Sequence, residues 1–449
     1  MLRDRRRLLV FTTLCLAAFL LLGGCTRLNN LAEWLSTRSL SQAERLMLEG
    51  DRLFENGQVS QALLAYRHAL KMDSHLPSVM QKFAALSAAQ GQVRTARYWY
   101  GEALKLEPEE SVLQLALLEL PAPQAPPAPW KQSWSVFLGA DMPAGSDANS
   151  TLAVIALDDG RIFAIDLYTG SILWSVQVEG TPSSRPALAG KIVLLGMQDG
   201  NILALDSQTG AILWNRPTGG SILGQPAVMG ETVFIGSTDN HLYCLNISNG
   251  ALLWAKAVEG EIRSRPLVSP EAVYVGTSLG RVNALRPSDG APLWPQPVNA
   301  GASIDNSPAL VEDRILVGTA SGIVLALDAA DGRILWQHET VEGVFAPILT
   351  GAGGLYTASA GGVLSSLNPL SGEIRWEKAY DGAILVPVLQ VDDSLWFALA
   401  NQPHLYSVNA LTGEPRWQWD SGDWLAGLTL TPGGVLVTGK DGTLLHLSK

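Results

Sequence analysis

The stretch "ALDSQTGAILW", residues 204–214, occurs in the chain with close variants on either side. "AIDLYTGSILW" lies 40 residues before it, at 164–174, and "CLNISNGALLW" lies 40 residues after it, at 244–254. Each copy passes from an apolar segment through a polar turn with a glycine to a second apolar segment that ends in Trp. A fixed period of this length is typical of repeat proteins in which one small unit of strands is copied along the chain.

The turn glycine and the Trp four residues later recur through the C-terminal part of the chain. The complete pairs are Gly170/Trp174, Gly210/Trp214, Gly250/Trp254, Gly290/Trp294, Gly332/Trp336, Gly372/Trp376 and Gly413/Trp417. Trp134 lies 40 residues before Trp174 without a turn, and the C-terminal "VLVTGKDGTLLHLSK" has no Trp after it. These two fragments complete one another, so the first strand is expected to pair with the last three and close a ring that has no exposed sheet edge. We therefore predict an all-β eight-bladed propeller over residues 131–449.

The repeated Trp is predicted to be structural. A large indole at the edge of each blade can pack on the next blade, burying roughly 150–250 Å², and its N–H can donate to a backbone carbonyl there. This assigns blade docking to Trp134, Trp174, Trp214, Trp254, Trp294, Trp336, Trp376 and Trp417.

The residue four positions before each turn glycine supports architecture over chemistry. It is Asp166, Asp206, Asn246, Arg286, Asp328, Asn368 or Asn409. A catalytic acid would not be exchanged for an amide or an arginine, whereas Asp and Asn can both cap a turn through a side-chain oxygen. Where Arg286 cannot do this, Ser288 is expected to help.

Residues 41–120 have helical periodicity instead. Gly57 and Gly91, Ala62 and Ala96, Tyr66 and Tyr100, and Ala69 and Ala103 are all separated by 34 residues. This spacing resembles the tetratricopeptide repeat, which implies pairs of antiparallel helices packed through small residues. Two repeats are few for a continuous core, so this small all-α domain is expected to lean on the propeller, on a partner or on a second copy. The Pro- and Ala-rich segment 121–130, "PAPQAPPAPW", is predicted to be the linker to the propeller.

The N-terminus has the pattern of an export signal. Arg5, Arg6 and Arg7 precede an apolar run from Leu8 to Leu22, which is short for a membrane span. The run ends in "LLGGC", which resembles the lipobox of bacterial lipoproteins. That resemblance implies a signal peptide over 1–24, lipidation of Cys25, a tether over 25–40 and, because Thr26 follows, a periplasm-facing anchor in the outer membrane.

Composition narrows the class of partner. The chain has a formal net charge of −11 and shows no basic face, so we expect no nucleic-acid partner. Among three cysteines, Cys244 stands alone in an apolar strand and is predicted to be buried filler. The six histidines do not cluster with metal-ligand spacing, and we predict no metal, no cofactor and no catalytic residue.

The repeat resembles that of pyrroloquinoline-quinone proteins, whose blades also carry a docking Trp. That resemblance raises an alternative, a quinone-dependent or other propeller enzyme. The adjacent cysteines that typify quinoprotein alcohol dehydrogenases are missing, because Cys244 has no neighbouring cysteine.

The lipobox, the eight units, "WSVFLG" and the final "KDGTLLHLSK" together resemble the BamB family of outer-membrane assembly lipoproteins. The resemblance implies a non-catalytic scaffold that binds periplasmic domains of the BamA-like, barrel-inserting subunit of the β-barrel assembly machinery. The family's contact loops correspond to "VEGEIRSRP" (258–266) and "VNAGASIDNSP" (298–308). The partner-binding residues implied by this match are Ile262, Arg263, Arg265 and Asp305.

Two questions stay open at this stage. Trp424 lies in an equivalent loop outside the docking series, and it could be an interface anchor or plug the ring. The helical repeats depart from the family's plan and could bind a further envelope protein, so a lipid-anchored adaptor of another envelope complex is the alternative function.

Overall fold

The computed structural model describes residues 40–121, 125–139, 145–351 and 354–449, so the predicted signal peptide and Cys25 lie outside the described residues. The chain divides into two compact units, Met1–Gln124 and Ala125–Lys449. Within the described ranges, no helix has the length and apolar character needed to cross a membrane.

The described part of the N-terminal unit consists of five helices. They are α1 Gln42–Glu55, α2 Val59–Met72, α3 Pro77–Ala89, α4 Val93–Leu106 and α5 Ser111–Glu119. A reciprocal pair of hydrogen bonds between Ser41 and Glu44 caps the start of α1. Gly57 and Gly91 follow the first and third helices with φ near +75°, a conformation in which the chain can turn back after a helix.

The residues that repeat every 34 positions form the core of this unit. Ala62, Ala69, Ala96 and Ala103 are fully buried, and Tyr66 is 1% exposed. Tyr66 fills the space beside α1, where a Cβ on Gly50 would lie 2.5 Å from its ring. Its hydroxyl donates to Asp51 at 2.7 Å, which satisfies the one polar group of the ring.

The C-terminal unit consists of eight four-stranded antiparallel sheets, the blades. Blades 1 to 3 contain β2 Ser146–Ala148, β3 Leu152–Ala156, β4 Arg161–Asp166, β5 Ile172–Gln177; β6 Ala187–Ala189, β7 Ile192–Gly196, β8 Asn201–Asp206, β9 Ile212–Pro217; β10 Ala227–Met229, β11 Thr232–Gly236, β12 His241–Asn246 and β13 Leu252–Ala257. Blades 4 and 5 contain β14 Leu267–Val268, β15 Val273–Gly276, β16 Arg281–Leu285, β17 Val298–Asn299; β18 Ala309–Val311, β19 Arg314–Gly318, β20 Ile323–Asp328 and β21 Ile334–Glu339.

The remaining blades complete the ring. Blades 6 and 7 contain β22 Leu349–Gly351, β23 Gly354–Ala358, β24 Val363–Leu367, β25 Ile374–Ala379; β26 Leu389–Val391, β27 Ser394–Ala398, β28 His404–Asn409 and β29 Pro415–Asp420. Blade 8 contains β30 Leu425–Thr431, β31 Gly434–Gly439, β32 Thr443–Ser448 and β1 Lys131–Phe137. The first strand of the unit thus pairs with the last, with Trp134 opposite His446. The eight-bladed all-β fold class with preceding helices is confirmed.

Position within a blade explains the strand sequences. The two middle strands are covered by neighbouring blades on both faces, so their interiors are continuously apolar, as in Ile202–Leu205 of β8. The outer strand faces solvent on one side, and in β9 Trp214 is the one residue that is buried. This is why Trp is the invariant member of the outer strand.

Each docking Trp reaches the turn of the next blade. Trp214 donates its indole N–H to the carbonyl of Ile247 at 2.9 Å, and its ring lies on Gly250, where a Cβ would come within 2.6 Å of it. The same hydrogen bond joins Trp134 to Leu167, Trp174 to Ser207, Trp254 to Pro287, Trp294 to Ala329, Trp336 to Pro369 and Trp376 to Ala410. The glycine of one repeat is therefore required by the Trp of the preceding repeat.

Trp417 differs from the other seven. Blade 8 is closed by two chain ends, so it has no turn between β32 and β1 on which Trp417 could dock. Its ring instead packs edge-on against Trp396 at 4.7 Å between centroids. Trp130, at the end of the predicted linker, fills this seam: it is 8% exposed and contacts Trp396, and Lys449 lies over its ring.

The residue before each turn caps it through a side-chain oxygen. Asp206 accepts hydrogen bonds from the backbone N–H groups of Gln208 and Thr209, and Asn409 does the same for Leu411 and Thr412. The expectation for Ser288 is wrong. Beside Arg286 it is Asp289 that accepts from the backbone, at Ala291, because its carboxylate is also held by Arg286.

Replacing Gly250 by Ala should destabilise the propeller much more than replacing Gly190 by Ala. Both glycines have positive φ, +69° and +60°, but no atom lies within 4 Å of a Cβ on Gly190. We expect a loss of about 1–2 kcal/mol for Gly190→Ala from backbone strain, and roughly 1–3 kcal/mol more for Gly250→Ala from the clash with Trp214. Denaturant unfolding measures both. Equal losses would show that the ring contact is not what selects glycine.

Protonation of His446 should weaken blade 8. Burial lowers the pKa of His446 below its ordinary value of 6.5, and the ring stacks on Trp134 and hydrogen-bonds the Thr431 hydroxyl at 3.0 Å. Since the unfolded chain then binds the proton more readily, stability is complete above about pH 6.5 and falls as pH drops towards the lower folded pKa. We expect His446→Gln to reduce the loss of thermal stability between about pH 7.5 and 5.5. An identical pH dependence in both proteins would contradict this assignment.

Candidate functional site

The loops that connect the outer strand of one blade to the inner strand of the next meet at one end of the ring. We define the rim as the five loops 218–226, 258–266, 300–308, 340–348 and 380–388. These loops surround the mouth of an axial cavity of about 500 Å³, and a second cavity of about 420 Å³ lies among the inner strands. Arg185, Gln225 and Arg265 line both cavities, so the two form one channel.

Each rim loop is held by a buried apolar residue, which we call the plug. The plugs are Ile222, Ile262, Ile304, Val344 and Ile384, all fully buried. The backbone N–H of Ile262 donates to the carbonyl of Ser237 at 3.1 Å, and the side chain covers Gly236, where a Cβ would lie 2.2 Å from it. The plug thereby fastens each loop to the blade that precedes it.

The structure changes the assignment of Ile262. The resemblance implied a partner contact, but the side chain has no exposed surface because it fills the space above Gly236. Ile262 therefore positions the loop, and the residue that follows it faces solvent.

Arg263 and Asp305 follow the plugs of adjacent loops and lie close together. Arg263 Nη1 is 3.5 Å from Asp305 Oδ1, and Arg263 Nε donates to Glu261 at 2.7 Å. The hydrogen bond to Glu261 is the main cause that raises the pKa of Arg263. The two side chains are 41% and 25% exposed, so this ion pair lies on the surface, where a partner could exchange it for contacts of its own.

The loop that carries Asp305 is fixed from below. Asn306 is 2% exposed and donates to the carbonyls of Gly318 and Val344, at 3.1 and 2.6 Å. Ser303 donates to Asp305 at 2.8 Å. The carboxylate is therefore held in a defined place before any partner arrives.

Three apolar side chains share the register of Arg263 and Asp305. Leu223, Phe345 and Leu385 each follow a plug and are 39%, 39% and 47% exposed. The rim thus presents one arginine, one carboxylate and three apolar groups at equivalent positions. Sequence analysis missed the apolar members, although the spacing of about 40 residues that relates 222, 262, 304, 344 and 384 could have found them.

Trp424 and Arg265 lie in different parts of the site. Trp424 follows Ile384 by 40 residues and so occupies the plug register, but it is only half-buried, and its backbone carbonyl accepts from Lys440 at 2.8 Å. Arg265 is exposed towards the channel rather than paired with Asp305. The structure therefore brings Arg263 and Asp305 together, with Arg265 at the mouth of the cavity.

Arg185 lies deeper in the channel, on the loop before β6. One of its terminal nitrogens donates to the carbonyl of Ser146 at 2.8 Å and to the Thr429 hydroxyl at 3.0 Å, which ties blade 2 to blades 1 and 8. Burial lowers the pKa of Arg185, the positive charge of Arg265 lowers it further, and Asp147 opposes both.

Reactive groups were examined across the described ranges. There, no group of three or more His, Cys, Asp or Glu side chains is close enough to hold a metal ion. Cys244 is fully buried in β12, and burial raises the pKa of its thiol to about 11. A thiol with such a pKa is a poor nucleophile at neutral pH.

A family model described as outer membrane protein assembly factor BamB matches residues 128–225, 198–345 and 342–448. No curated protein sequence gives a significant match.

Among solved structures, BamB from Moraxella catarrhalis is similar with a TM-score of 0.63 and 22% identity, over 71% of this chain and 100% of that chain. The quinohemoprotein alcohol dehydrogenase from Comamonas testosteroni is similar with a TM-score of 0.60 and 15% identity, over 71% of this chain and 76% of that chain. The computationally designed Ika8 protein is similar with a TM-score of 0.64 and 18% identity, over 71% and 99%. At these identities the structural matches establish the propeller fold.

The Arg263–Asp305 pair should contribute little to stability. A double-mutant cycle with Arg263→Ala and Asp305→Ala should give a coupling energy below about 1 kcal/mol, because the pair is partly exposed and screened by solvent. Thermal or denaturant unfolding of the four proteins measures it. A coupling energy above about 2 kcal/mol would mean that the pair is a structural element of the ring rather than a surface available to a partner.

Proposed function

The chain belongs to the family described as outer membrane protein assembly factor BamB, and from this membership we propose that it is a non-catalytic scaffold for the assembly of β-barrel outer-membrane proteins. In this proposal the rim binds the periplasmic domains of a BamA-like, barrel-inserting subunit. Arg263 and Asp305 supply the charged contacts, and Leu223, Phe345 and Leu385 supply the apolar ones.

The observation that supports docking is the composition of the rim. Arginine and apolar anchors carry much of the energy of protein interfaces, and they act best when a rigid support holds them in place. Here the plugs and Asn306 supply that support, while the side chains that follow the plugs stay exposed. A partner would gain apolar burial from three loops and align its own charges with one arginine and one carboxylate.

The position of the tryptophans supports a role without catalysis. Seven indoles are committed to hydrogen bonds between blades, so they do not line the channel as a stacking surface for a cofactor. The quinone-dependent enzyme remains the alternative against which the scaffold is tested. Saturable binding of a quinone cofactor by the purified chain would favour that alternative.

The anchoring in this proposal comes from the leader. Lipidation at Cys25 would tether the chain to the periplasmic face of the outer membrane, where barrel proteins are inserted. Mass spectrometry of the N-terminal peptide tests this step separately, since an acylated Cys25 gains the mass of its lipid and an unprocessed chain does not.

The helical unit favours a second function, an adaptor for a further envelope protein. The family match begins at residue 128, after the helices, so the unit is an addition to the family's common part. Leu115 and Leu118 of α5 are 59% and 81% exposed, which offers apolar surface to a partner.

Charge reversal at the rim tests docking. The full chain, recovered from detergent-solubilised envelopes, should bring down the barrel-inserting subunit, and Arg263→Glu should reduce that recovery about tenfold or more, because it places a carboxylate beside Asp305 and removes the cation that a partner would meet. Quantitative mass spectrometry of the co-purified proteins gives the measurement.

Arg333→Glu is the matched control. Arg333 is also an exposed arginine paired with an aspartate, Asp328 at 3.4 Å, but it lies on a Trp-docking turn instead of a rim loop. Its recovery should equal that of the unchanged chain. If the barrel-inserting subunit does not co-purify with the unchanged chain, the scaffold proposal is wrong and the adaptor is favoured; if Arg263→Glu retains full recovery, the rim is not the docking surface.

A further inference from the structure

We propose that the axial channel is a binding site for a carboxylate, held between the guanidinium groups of Arg185 and Arg265. This inference goes beyond the scaffold role and does not depend on it. The cavities at the mouth and among the inner strands, about 500 and 420 Å³, are in the range of small-ligand sites.

The first observation is that two guanidinium groups share one cavity. Arg185 and Arg265 line both parts of the channel, and Arg265 makes no hydrogen bond or ion pair with any residue that the structure describes. Two like charges that face one enclosed space repel each other, and this repulsion is relieved when an anion lies between them. In a chain with a net charge of −11, such an arrangement is not a consequence of general composition.

The second observation concerns the unused donor of Arg185. Its Nη2 is occupied by Ser146 and Thr429, whereas its Nε is buried and has no acceptor among the described residues. A buried guanidinium N–H without a partner costs free energy, and a ligand oxygen would remove that cost. The contacts of Nη2 also hold the side chain in place, so little side-chain entropy is lost on binding.

The carboxylates of the channel leave this positive charge only partly balanced. Asp147 lies near Arg185, but its oxygens accept backbone N–H groups from Ala148 and Leu188, at 3.0 and 2.8 Å. Asp305, at the mouth, is paired with Arg263. Three arginines and two aspartates therefore line the channel, and Arg265 is the cation without a carboxylate of its own.

A planar, charged oxygen pair matches these donors. Carboxylates accept two parallel hydrogen bonds from a guanidinium, and such charge-assisted bonds are about twice as strong as neutral ones. The carboxylate could belong to a small free acid or to an acidic side chain of a polypeptide that enters the mouth. Both sources share the chemistry that Arg185 and Arg265 recognise.

The test titrates the purified full chain with succinate and with the capped peptide Gly-Asp-Glu-Gly, each at constant ionic strength. The uncharged peptide Gly-Asn-Gln-Gly and sodium chloride are the ligand controls. Isothermal calorimetry and the shift of the thermal midpoint give the readout. We expect saturable binding of at least one carboxylate ligand and none of the uncharged peptide; which of the two binds identifies the source.

Two variants and one control link the binding to the channel. Arg265→Gln should weaken binding at least tenfold without loss of stability, since Arg265 makes no contact that the fold needs. Arg185→Gln should weaken binding as well but also lowers the thermal midpoint, because its bonds to Ser146 and Thr429 are lost. Arg333→Gln, at the other end of the ring, should bind like the unchanged chain.

The result that overturns the proposal is binding that is absent for both carboxylate ligands or undiminished in Arg265→Gln. Since this readout uses the purified chain without any partner, it is independent of the co-purification experiment. Failure of the one does not imply failure of the other.

Discussion

The contact of an indole with a glycine in the next blade is the interaction on which the ring depends. Trp214 both donates to a carbonyl and covers Gly250, and six further pairs of blades repeat this arrangement. The contact has two requirements that lie 36 residues apart in sequence, a large flat ring and a position with no Cβ. Because each repeat supplies the Trp for one neighbour and the glycine for the other, the two residues recur together although they do not touch within one repeat.

The closure of the ring follows from the same constraint at its one exception. Blade 8 is assembled from both ends of the propeller, so its outer turn does not exist and Trp417 has nothing to dock on. Trp130, Trp396 and Lys449 fill the space instead. The pairing of β1 with β32 thus replaces a covalent turn by a ladder of hydrogen bonds, and Trp134 stacks on His446 across that pair.

The rim shows how one backbone plan separates structural from exposed positions. In each loop the plug faces inward and the next residue faces solvent, because consecutive side chains of an extended segment point in opposite directions. Ile262 and Arg263 are neighbours in sequence, yet one is fully buried and the other is 41% exposed. The same alternation places Leu223, Phe345 and Leu385 beside the charged pair, so a surface with mixed chemistry arises from a uniform architecture.

The sequence by itself determined the repeat, the number of blades and the way in which the ring closes, because the glycine, the capping residue and the Trp each satisfy a local geometric need at a fixed spacing. It also indicated the two rim loops. Only the tertiary structure decided which residue of each loop reaches solvent, that Trp417 lacks a docking turn, and that Arg185 and Arg265 meet in one channel although they lie 80 residues apart. These features depend on how distant repeats are placed around a common axis, and no local pattern of residues carries that information.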